Sequence, residues 1–513
     1  MKPLVKRILS VSLASVLACQ VPAAQAQADA RAVAAAPQGG MPGAAPPAQQ
    51  EWLRALGLAV QVRYWSEMAL RANALDHTPP PPGSARVWRE QFGPARSARA
   101  LAIFHLALYE AVNAAVPLYP SYTGMLPAPA ASAPEAALAR AARDTLMALY
   151  PAQAASFAQA YLRGMARLQA GRARDNGAET GRRAAAAVLA MHAAREATYE
   201  DRIVGVDFFP SNAPGKWRPD PVSRDPLALA AVWQPVRPFV VPSALAFRPA
   251  PPPALTSSAY AAAFEEVRQL GGNGVSTPTR RTPAQTVAGI FWSYDGSPWI
   301  GSAPRMYNQI ALDIGARRGL GGMQMVRMLA LVNVALADTC LTVWGTKYTE
   351  QFWRPVTGIR EASPGSSPTG LGDGNPATRG DPQWTPLGAQ ASNTTDPDFT
   401  PPFPSYPSGH ASFGGALFQT LRRFYGTDAI AFSFVSDEFN GITRDNSGQV
   451  RPRLVRGFSR LSQAEEENAQ SRIYLGVHWP FDKRAGLAVG RRVADYVFER
   501  GLLPPAAPAA PTP

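Results

Sequence analysis

The sequence predicts an all-α fold built from packed helical bundles. Apolar residues recur at helical spacing along most of the chain, as at Leu101, Phe104, Leu108 and Val112. Alternation of Val, Ile and Tyr between hairpin turns is scarce. Hydrophobic residues make up 46% of the 513 residues and charged residues 17%, which is enough for a sizeable core.

The first residues read as an export signal. Residues 1–26 combine three basic side chains and no acidic one with an apolar stretch at 8–18, and Ala24-Gln25-Ala26 fits a cleavage site. We therefore expect a periplasmic or secreted protein. The sequence around Cys19 also weakly resembles a lipoprotein cleavage box, so a lipid anchor through Cys19 is the less favoured alternative.

The rest of the chain divides by composition. Residues 27–50 and 501–513 are rich in Ala and Pro and are predicted to be disordered, whereas 51–500 should form the helical domain, with a motif-bearing bundle at about 280–500. No segment after the signal reaches the expected length of a transmembrane helix. The predicted helices are 99–116, 139–149, 154–169, 177–194, 260–270, 323–343, 411–424 and 485–498.

Charge and cysteine content narrow the function classes. The formal charge is +13, and about +10 without the signal, which suits an anionic substrate, an acidic membrane or a nucleic acid. No basic run with interleaved aromatics and no nucleic-acid module is visible, so nucleic acid is set aside. Cys340 is the one cysteine beyond the signal and lies in an apolar run, so we expect a buried thiol and no intrachain disulfide. The oligomeric state cannot be read.

Three blocks carry candidate chemistry. In the first, KYTEQFWRP, Lys347 and Arg354 stand two helical turns apart, which predicts one shared helix face that Pro355 then ends. In the second, PSYPSGH, Ser408, Gly409 and His410 open an amphipathic helix, whose free N–H groups attract an anion. Taken singly, each block is more often a solvated surface or a plain helix cap.

The third block, SRIYLGVHWPFD, places Arg472 six residues before His478. Gly476 and Pro480 suggest that the helix ends between them and that the histidine turns inward. Asp482 could orient the His478 ring and leave its other nitrogen free as a ligand or nucleophile. Together, two Arg, one Lys, a helix N-terminus and two His suit a tetrahedral oxyanion such as vanadate or phosphate.

The three blocks together read K-x6-R-P, P-S-G-H and S-R-x5-H-x3-D. This pattern resembles the signature of the vanadium-dependent haloperoxidases, a signature that these enzymes share with the type 2 phosphatidic acid phosphatase superfamily. The likeness extends to FWSYDG (291–296), PRMYNQ (304–309), PGKWRP (214–219) and HLALYEAVN (105–113), and so covers roughly residues 50–500. It implies a vanadium haloperoxidase-like fold, vanadate as cofactor, and H2O2 and halide as substrates.

The resemblance also implies roles. His478 would bind vanadium axially, and Lys347, Arg354, Ser408, the Gly409 amide and Arg472 would hold the vanadate oxygens. His410 would act as acid–base catalyst, and Lys347 would also polarise the peroxide. Asp295 would pair with one of the arginines. Trp344 and Phe403 match residues near the halide in chloride-oxidising members, which favours chloride besides bromide.

Two other functions stay open on this scaffold. A periplasmic acid phosphatase would attack phosphate with His478, form a phosphohistidine, and protonate the leaving group with His410. A non-catalytic anion-binding protein would keep the same pocket without turnover. The motifs do not separate these functions, because each needs a pocket that fits the same oxyanion.

Overall fold

The computed structural model describes residues 47–192 and 200–502, with side chains from residue 57 onward. Residues 52–513 form one unit, and residues 1–51 form another that is described only from Pro47, where a helix begins. The predicted signal peptide, Cys19, most of the leader and the tail beyond 502 lie outside the described residues. The helical region starts within the predicted leader 27–50.

Thirteen α-helices make up most of the described chain, as the all-α prediction requires. They are α1 (Pro47–Asp76), α2 (Gly93–Ala115), α3 (Pro134–Leu149), α4 (Ala154–Met165), α5 (Arg172–His192), α6 (Ser258–Leu270), α7 (Pro283–Phe291), α8 (Ala303–Arg317), α9 (Gly322–Glu350), α10 (Pro355–Arg360), α11 (Gly409–Tyr425), α12 (Leu461–Tyr474) and α13 (Pro480–Arg500).

Two short two-stranded antiparallel sheets accompany the helices and were not predicted. Strand β1 (Arg202–Ile203) pairs with β2 (Leu227–Ala228), and β3 (Phe432–Val435) pairs with β4 (Val455–Phe458). Residues 364–407 contain no helix or strand, and part of this segment forms a wall of the cavity described below.

Helix α9 is the shared centre of two bundles. On one side it packs against α2, which contacts α3 and α5, and on the other it packs against α11 and α13, with α12 beside them. Nearly every residue of α9 is buried because a helix that is apolar all round needs partners on all sides. Cys340 is among them, buried and free as predicted.

The length of α9 corrects one expectation. By length and hydropathy, this 29-residue helix is a possible membrane span, although none was expected after the signal. Every residue of its most apolar window is buried inside the protein, as in a core helix.

The predicted disordered tail, 501–513, starts too early. Gly501 and Leu502 are buried, and the Leu502 carbonyl accepts a hydrogen bond of 2.8 Å from Arg327 Nε.

Helices α11 and α13 approach closely because glycines face the contact. A Cβ on Gly490 would lie 2.0 Å from the Ser412 carbonyl oxygen, and one on Gly486 would lie 2.7 Å from that of Ser408. Since Ser408 and Gly409 begin α11 and Pro480 begins α13, this contact fixes the distance between the second and third blocks.

We expect Gly490→Ala to destabilise the fold by about 1–3 kcal/mol, because the methyl group must push α13 away from a backbone carbonyl. Chemical denaturation of both proteins measures the change. Gly164→Ala is the matched control: it lies in α4 with nothing within 4 Å of the new Cβ, so it should be neutral or slightly stabilising. Equal stability of the two variants would refute the packing argument.

Candidate active site

The three sequence blocks converge on one cavity of about 320 Å³. Four of the candidate residues line its base: Gly409, His410, Arg472 and His478. Asp295, Trp344 and Phe403 also line it, whereas Lys347, Arg354, Ser408 and Asp482 lie behind this surface and are buried. The structure therefore brings together all eleven residues singled out from the sequence.

Lys347 and Arg354 do not share a helix face as predicted. Helix α9 ends at Glu350, Gln351 adopts a left-handed conformation, and Arg354 caps the next helix, α10, which Pro355 begins. Pro is favoured at the first position of a helix, so Pro355 starts one here instead of ending one. The two cations reach the site from a helix end and from the turn after it.

The Lys347 ammonium is held entirely by backbone carbonyls. Its Nζ donates to the carbonyl oxygens of Pro404 at 2.9 Å, Ser405 at 2.9 Å and Pro407 at 2.6 Å. An ammonium has three N–H donors, so all are engaged. Lys347 thus ties the loop before Ser408 to α9, and a direct bond to an oxyanion would require it to exchange one of these carbonyls.

Arg354 is fixed on two sides and free on the third. Its Nε donates to the Phe403 carbonyl at 2.9 Å, and its Nη1 lies 2.8 Å from the Val477 carbonyl and 2.9 Å from His478 Nε2. The remaining Nη2 is buried without a partner among the described residues. Burial lowers the pKa of Arg354 to about 9, so the guanidinium stays charged at neutral pH.

Arg472 pairs with Asp295, as the resemblance implied. A single nitrogen, Nη2, donates to both carboxylate oxygens of Asp295, at 2.9 and 3.0 Å. The other donors, Nε and Nη1, are buried and have no partner within the part of the chain that the structure describes. Arg472 is fully buried near the end of α12, so the protein holds an incompletely bonded guanidinium at the cavity base.

His478 is oriented by Asp482, and Gly476 turns the chain toward it. Helix α12 ends at Tyr474, Gly476 takes φ +70°, and α13 begins at Pro480. The Asp482 carboxylate accepts from His478 Nδ1 at 2.8 Å and from the Trp479 amide at 3.0 Å. Burial and the neighbouring Arg354 lower the pKa of His478 well below its usual value, so Nε2 keeps an unprotonated lone pair.

The second block forms the start of α11. The Ser408 hydroxyl accepts weakly from the Ala411 amide at 3.4 Å, and the Ser408 amide donates to the Asp482 carbonyl at 3.0 Å. A Cβ on Gly409 would lie 3.3 Å from Trp344 Cη2, so a glycine keeps this helix end open beside the ring.

His410 presents one nitrogen to the cavity. Its Nε2 lies 2.5 Å from the Ser293 carbonyl oxygen and must donate to it, which leaves Nδ1 unprotonated, 4.0 Å from Asp295 Oδ1. Burial and the nearby Arg472 lower the pKa of His410 to about 3. The side chain is thus a neutral imidazole whose Nδ1 can accept a proton.

Three residues that hold His410 were not singled out as site residues. The Tyr307 hydroxyl lies 3.0 Å from both the His410 carbonyl oxygen and Asn468 Oδ1, and Asn468 Nδ2 donates to that carbonyl at 2.9 Å. Ser293 and Tyr307 stand in the FWSYDG and PRMYNQ segments, and Asn468 lies one helical turn before Arg472. These positions in the sequence were the signal that could have identified the three residues.

The pocket suits a tetrahedral oxyanion. Arg354 Nη2 and the Nε and Nη1 of Arg472 leave three buried N–H donors unpaired, which is costly unless a ligand accepts from them. Planar guanidinium groups bind the oxygens of vanadate or phosphate well. The start of α11 adds amide donors, and His478 Nε2 would give its lone pair to the central atom in exchange for the hydrogen bond from Arg354 Nη1. The residues present therefore fit vanadate.

Part of the chain matches known proteins in sequence. Residues 327–502 match the model of the VCPO second helical-bundle domain. The chain is 41% identical over 274 residues to a vanadium chloroperoxidase of Curvularia inaequalis, a match that covers 46% of this chain and 43% of that protein. The chain thus spans less than half the length of this relative.

Solved structures share the fold over most of the chain. A bacterial vanadium-dependent iodoperoxidase superposes with a TM-score of 0.65 at 22% identity, covering 85% of this chain and 96% of that one. The apo form of a bacterial vanadium-dependent chloroperoxidase gives 0.60 at 14% identity, with 80% and 94% covered. Residues 327–502 are therefore similar to a VCPO second helical-bundle domain, within a chain that has the fold of these solved haloperoxidases.

Proposed function

We propose that this protein is a vanadate-dependent haloperoxidase that uses H2O2 to oxidise halide to hypohalous acid. The observation that carries the proposal is the set of three unpaired, buried guanidinium N–H groups beside His478, whose Nδ1 is fixed by Asp482. The 41% identity to a vanadium chloroperoxidase supports vanadate over phosphate as the resident oxyanion.

The residues take distinct parts in this reaction. Bound vanadate would supply the Lewis acid that activates H2O2 toward halide. His478 would hold it through Nε2, while Arg354, Arg472 and the Gly409 amide would neutralise and fix its oxygens. His410 Nδ1 would take a proton from H2O2, since Nε2–H stays on the Ser293 carbonyl. Asp295 would hold Arg472 in place.

Bromide and chloride are the halides we propose. Trp344 and Phe403 pack with ring centroids 5.0 Å apart beside the base of the cavity, and the Lys347 ammonium lies 5.1 Å from the Phe403 ring centre. An apolar wall strips water from a halide, and nearby cations offset that loss. Chloride loses more hydration than bromide, so it depends more on the nearby cations to offset that loss.

The first experiment would assay purified protein with orthovanadate, H2O2 and bromide or chloride, using a dye as halogen acceptor. Vanadate-dependent halogenation would support the proposal, and the rate ratio of the two halides would test the Trp344–Phe403 argument. p-Nitrophenyl phosphate should be supplied to the vanadate-free form in parallel. Phosphate release without halogenation would instead establish a phosphatase that uses His478 as nucleophile.

We expect His410→Ala to lower the halogenation rate about 10²–10⁴-fold, the usual loss for a missing acid–base group. Vanadate affinity should be largely retained, because His410 Nδ1 is not among the proposed oxyanion ligands. Steady-state rates and vanadate titration by calorimetry measure the two effects. Unchanged turnover would refute the acid–base assignment, and loss of vanadate binding would make His410 a ligand.

Export to the periplasm or beyond the cell also remains a proposal, supported by the signal-like residues 1–26. N-terminal sequencing of the mature protein would test it. A mature N-terminus just after Ala26 fits simple cleavage, whereas a lipid-modified Cys19 fits the alternative.

A further inference from the structure

The cavity is larger than the proposed reaction requires. Its volume is about 320 Å³, whereas a water molecule occupies about 30 Å³. H2O2 and a single halide ion are each of the order of one or two waters, so they would fill a small part of it. Cavities that bind organic molecules start at about 300 Å³.

Aromatic rings form the wall nearest to the oxyanion site. Trp344 packs against Phe403 at 5.0 Å and against Phe413 at 6.1 Å between ring centroids, and all three side chains are buried. Trp344 also lies against Gly409, at the start of α11. An aromatic ligand in the cavity would therefore meet the edges of these rings, beside the place where halide is oxidised.

The charged groups of the cavity disfavour an organic anion. Arg472 is offset by Asp295, but Asp225 and Asp396 also line the cavity and have neutral hydrogen-bond partners. The Asp225 carboxylate accepts from the Leu227 amide at 3.0 Å, and that of Asp396 accepts from the Thr394 hydroxyl at 2.8 Å. Two carboxylates would repel an anionic acceptor and admit a neutral one.

We propose that the aromatic part of this cavity binds a neutral aromatic acceptor, which is halogenated while bound. This inference rests on the proposed haloperoxidase activity. In the step, a ring carbon forms a bond to the halogen of HOX, and the HO–X bond breaks with its electron pair going to oxygen. The ring then loses a proton to the hydroxide, giving the halogenated arene and water. The ring carbon is oxidised by two electrons and the halogen is reduced.

The test compares two neighbouring substitutions with wild-type protein. Thr394 lines the cavity, so Thr394→Trp should fill part of it, whereas the exposed Thr395 does not line it, so Thr395→Trp is the matched control. Each vanadate-loaded protein receives H2O2, bromide and α-naphthol, and the ratio of ortho- to para-brominated product is measured. Triiodide formation from iodide, which needs no organic acceptor, reports the halide-oxidising step alone.

We expect wild-type protein to give saturation in α-naphthol and a product ratio different from that of reagent hypobromite. Thr394→Trp should raise the KM for α-naphthol about tenfold and move the ratio toward that of the reagent, with triiodide formation unchanged. Thr395→Trp should match the wild type. A wild-type ratio equal to that of the reagent, without saturation, would overturn the inference.

Different outcomes of these experiments would refute the proposed haloperoxidase activity and the acceptor-binding site. Absence of triiodide from wild-type protein would overturn the haloperoxidase activity, and with it the halogenation step. Calorimetric titration of α-naphthol into vanadate-free protein then decides the binding site alone. Binding that Thr394→Trp weakens and Thr395→Trp preserves supports the site, whereas no binding to wild-type protein overturns it.

Discussion

Replacing His478 with alanine is expected to lower vanadate-dependent halogenation roughly 10³-fold or more, as removal of a central catalytic group commonly does. His478 combines a fixed orientation with an unprotonated nitrogen: Asp482 holds Nδ1 at 2.8 Å, and Nε2 accepts from Arg354 Nη1 at 2.9 Å, a hydrogen bond that vanadate would replace. Alanine removes that nitrogen and with it one acceptor of Arg354 Nη1, but both guanidinium groups stay, so weak oxyanion binding should persist.

Vanadate titration by calorimetry and halogenation rates at saturating vanadate check this expectation. The control is His105→Ala, since His105 is buried in α2, bonds to the Leu101 carbonyl at 2.9 Å and does not line the cavity. It should lower stability but keep vanadate affinity. Full activity of His478→Ala would show that this nitrogen does not hold vanadate and would rule out the phosphohistidine mechanism as well.

The residues that the structure brings together could be predicted from the sequence because the chemistry of an oxyanion site depends on residue type. Arg472, His478 and Asp482 could be linked through Gly476 and Pro480, which signal a helix break on their own. The prediction that Lys347 and Arg354 share a helix face was wrong for a physical reason. The left-handed turn at Gln351 has no glycine to mark it, and Pro355 is equally compatible with a helix start.

Other features could not be read because they depend on contacts distant in sequence. The carbonyl partners of Lys347 come from a loop more than fifty residues away. Helix α7 was missed for a different, local reason: with only nine residues it depends on a capping box between Thr282 and Gln285 more than on the apolar periodicity that marks the predicted helices. The cavity is likewise a property of packing, since Phe413 and Thr394 carry no motif.

Replacing Arg472 with lysine should lower halogenation about 10²–10³-fold, the loss seen when a charge-stabilising donor is removed from an active site. Lysine keeps the positive charge but not the planar fork, so a single nitrogen must serve both Asp295 and the oxyanion without the two-pronged geometry. The Nε and Nη1 donors, unpaired in this structure, would be lost together. The variant thus tests whether the guanidinium geometry, rather than charge alone, holds the oxyanion.

The matched control is Arg422→Lys, because Arg422 also makes a two-pronged contact, with both carboxylate oxygens of Glu465 at 3.0 Å, but far from the cavity lining. It should lose stability and keep activity. A second readout is independent of turnover: at a hundredfold excess over its Kd, vanadate stabilises wild-type protein by about 2.7 kcal/mol, and Arg472→Lys should lose most of this shift. If Arg472→Lys kept both the shift and the rate, the unpaired donors would have to serve something other than the oxyanion, and Arg354 with the start of α11 would have to hold it alone.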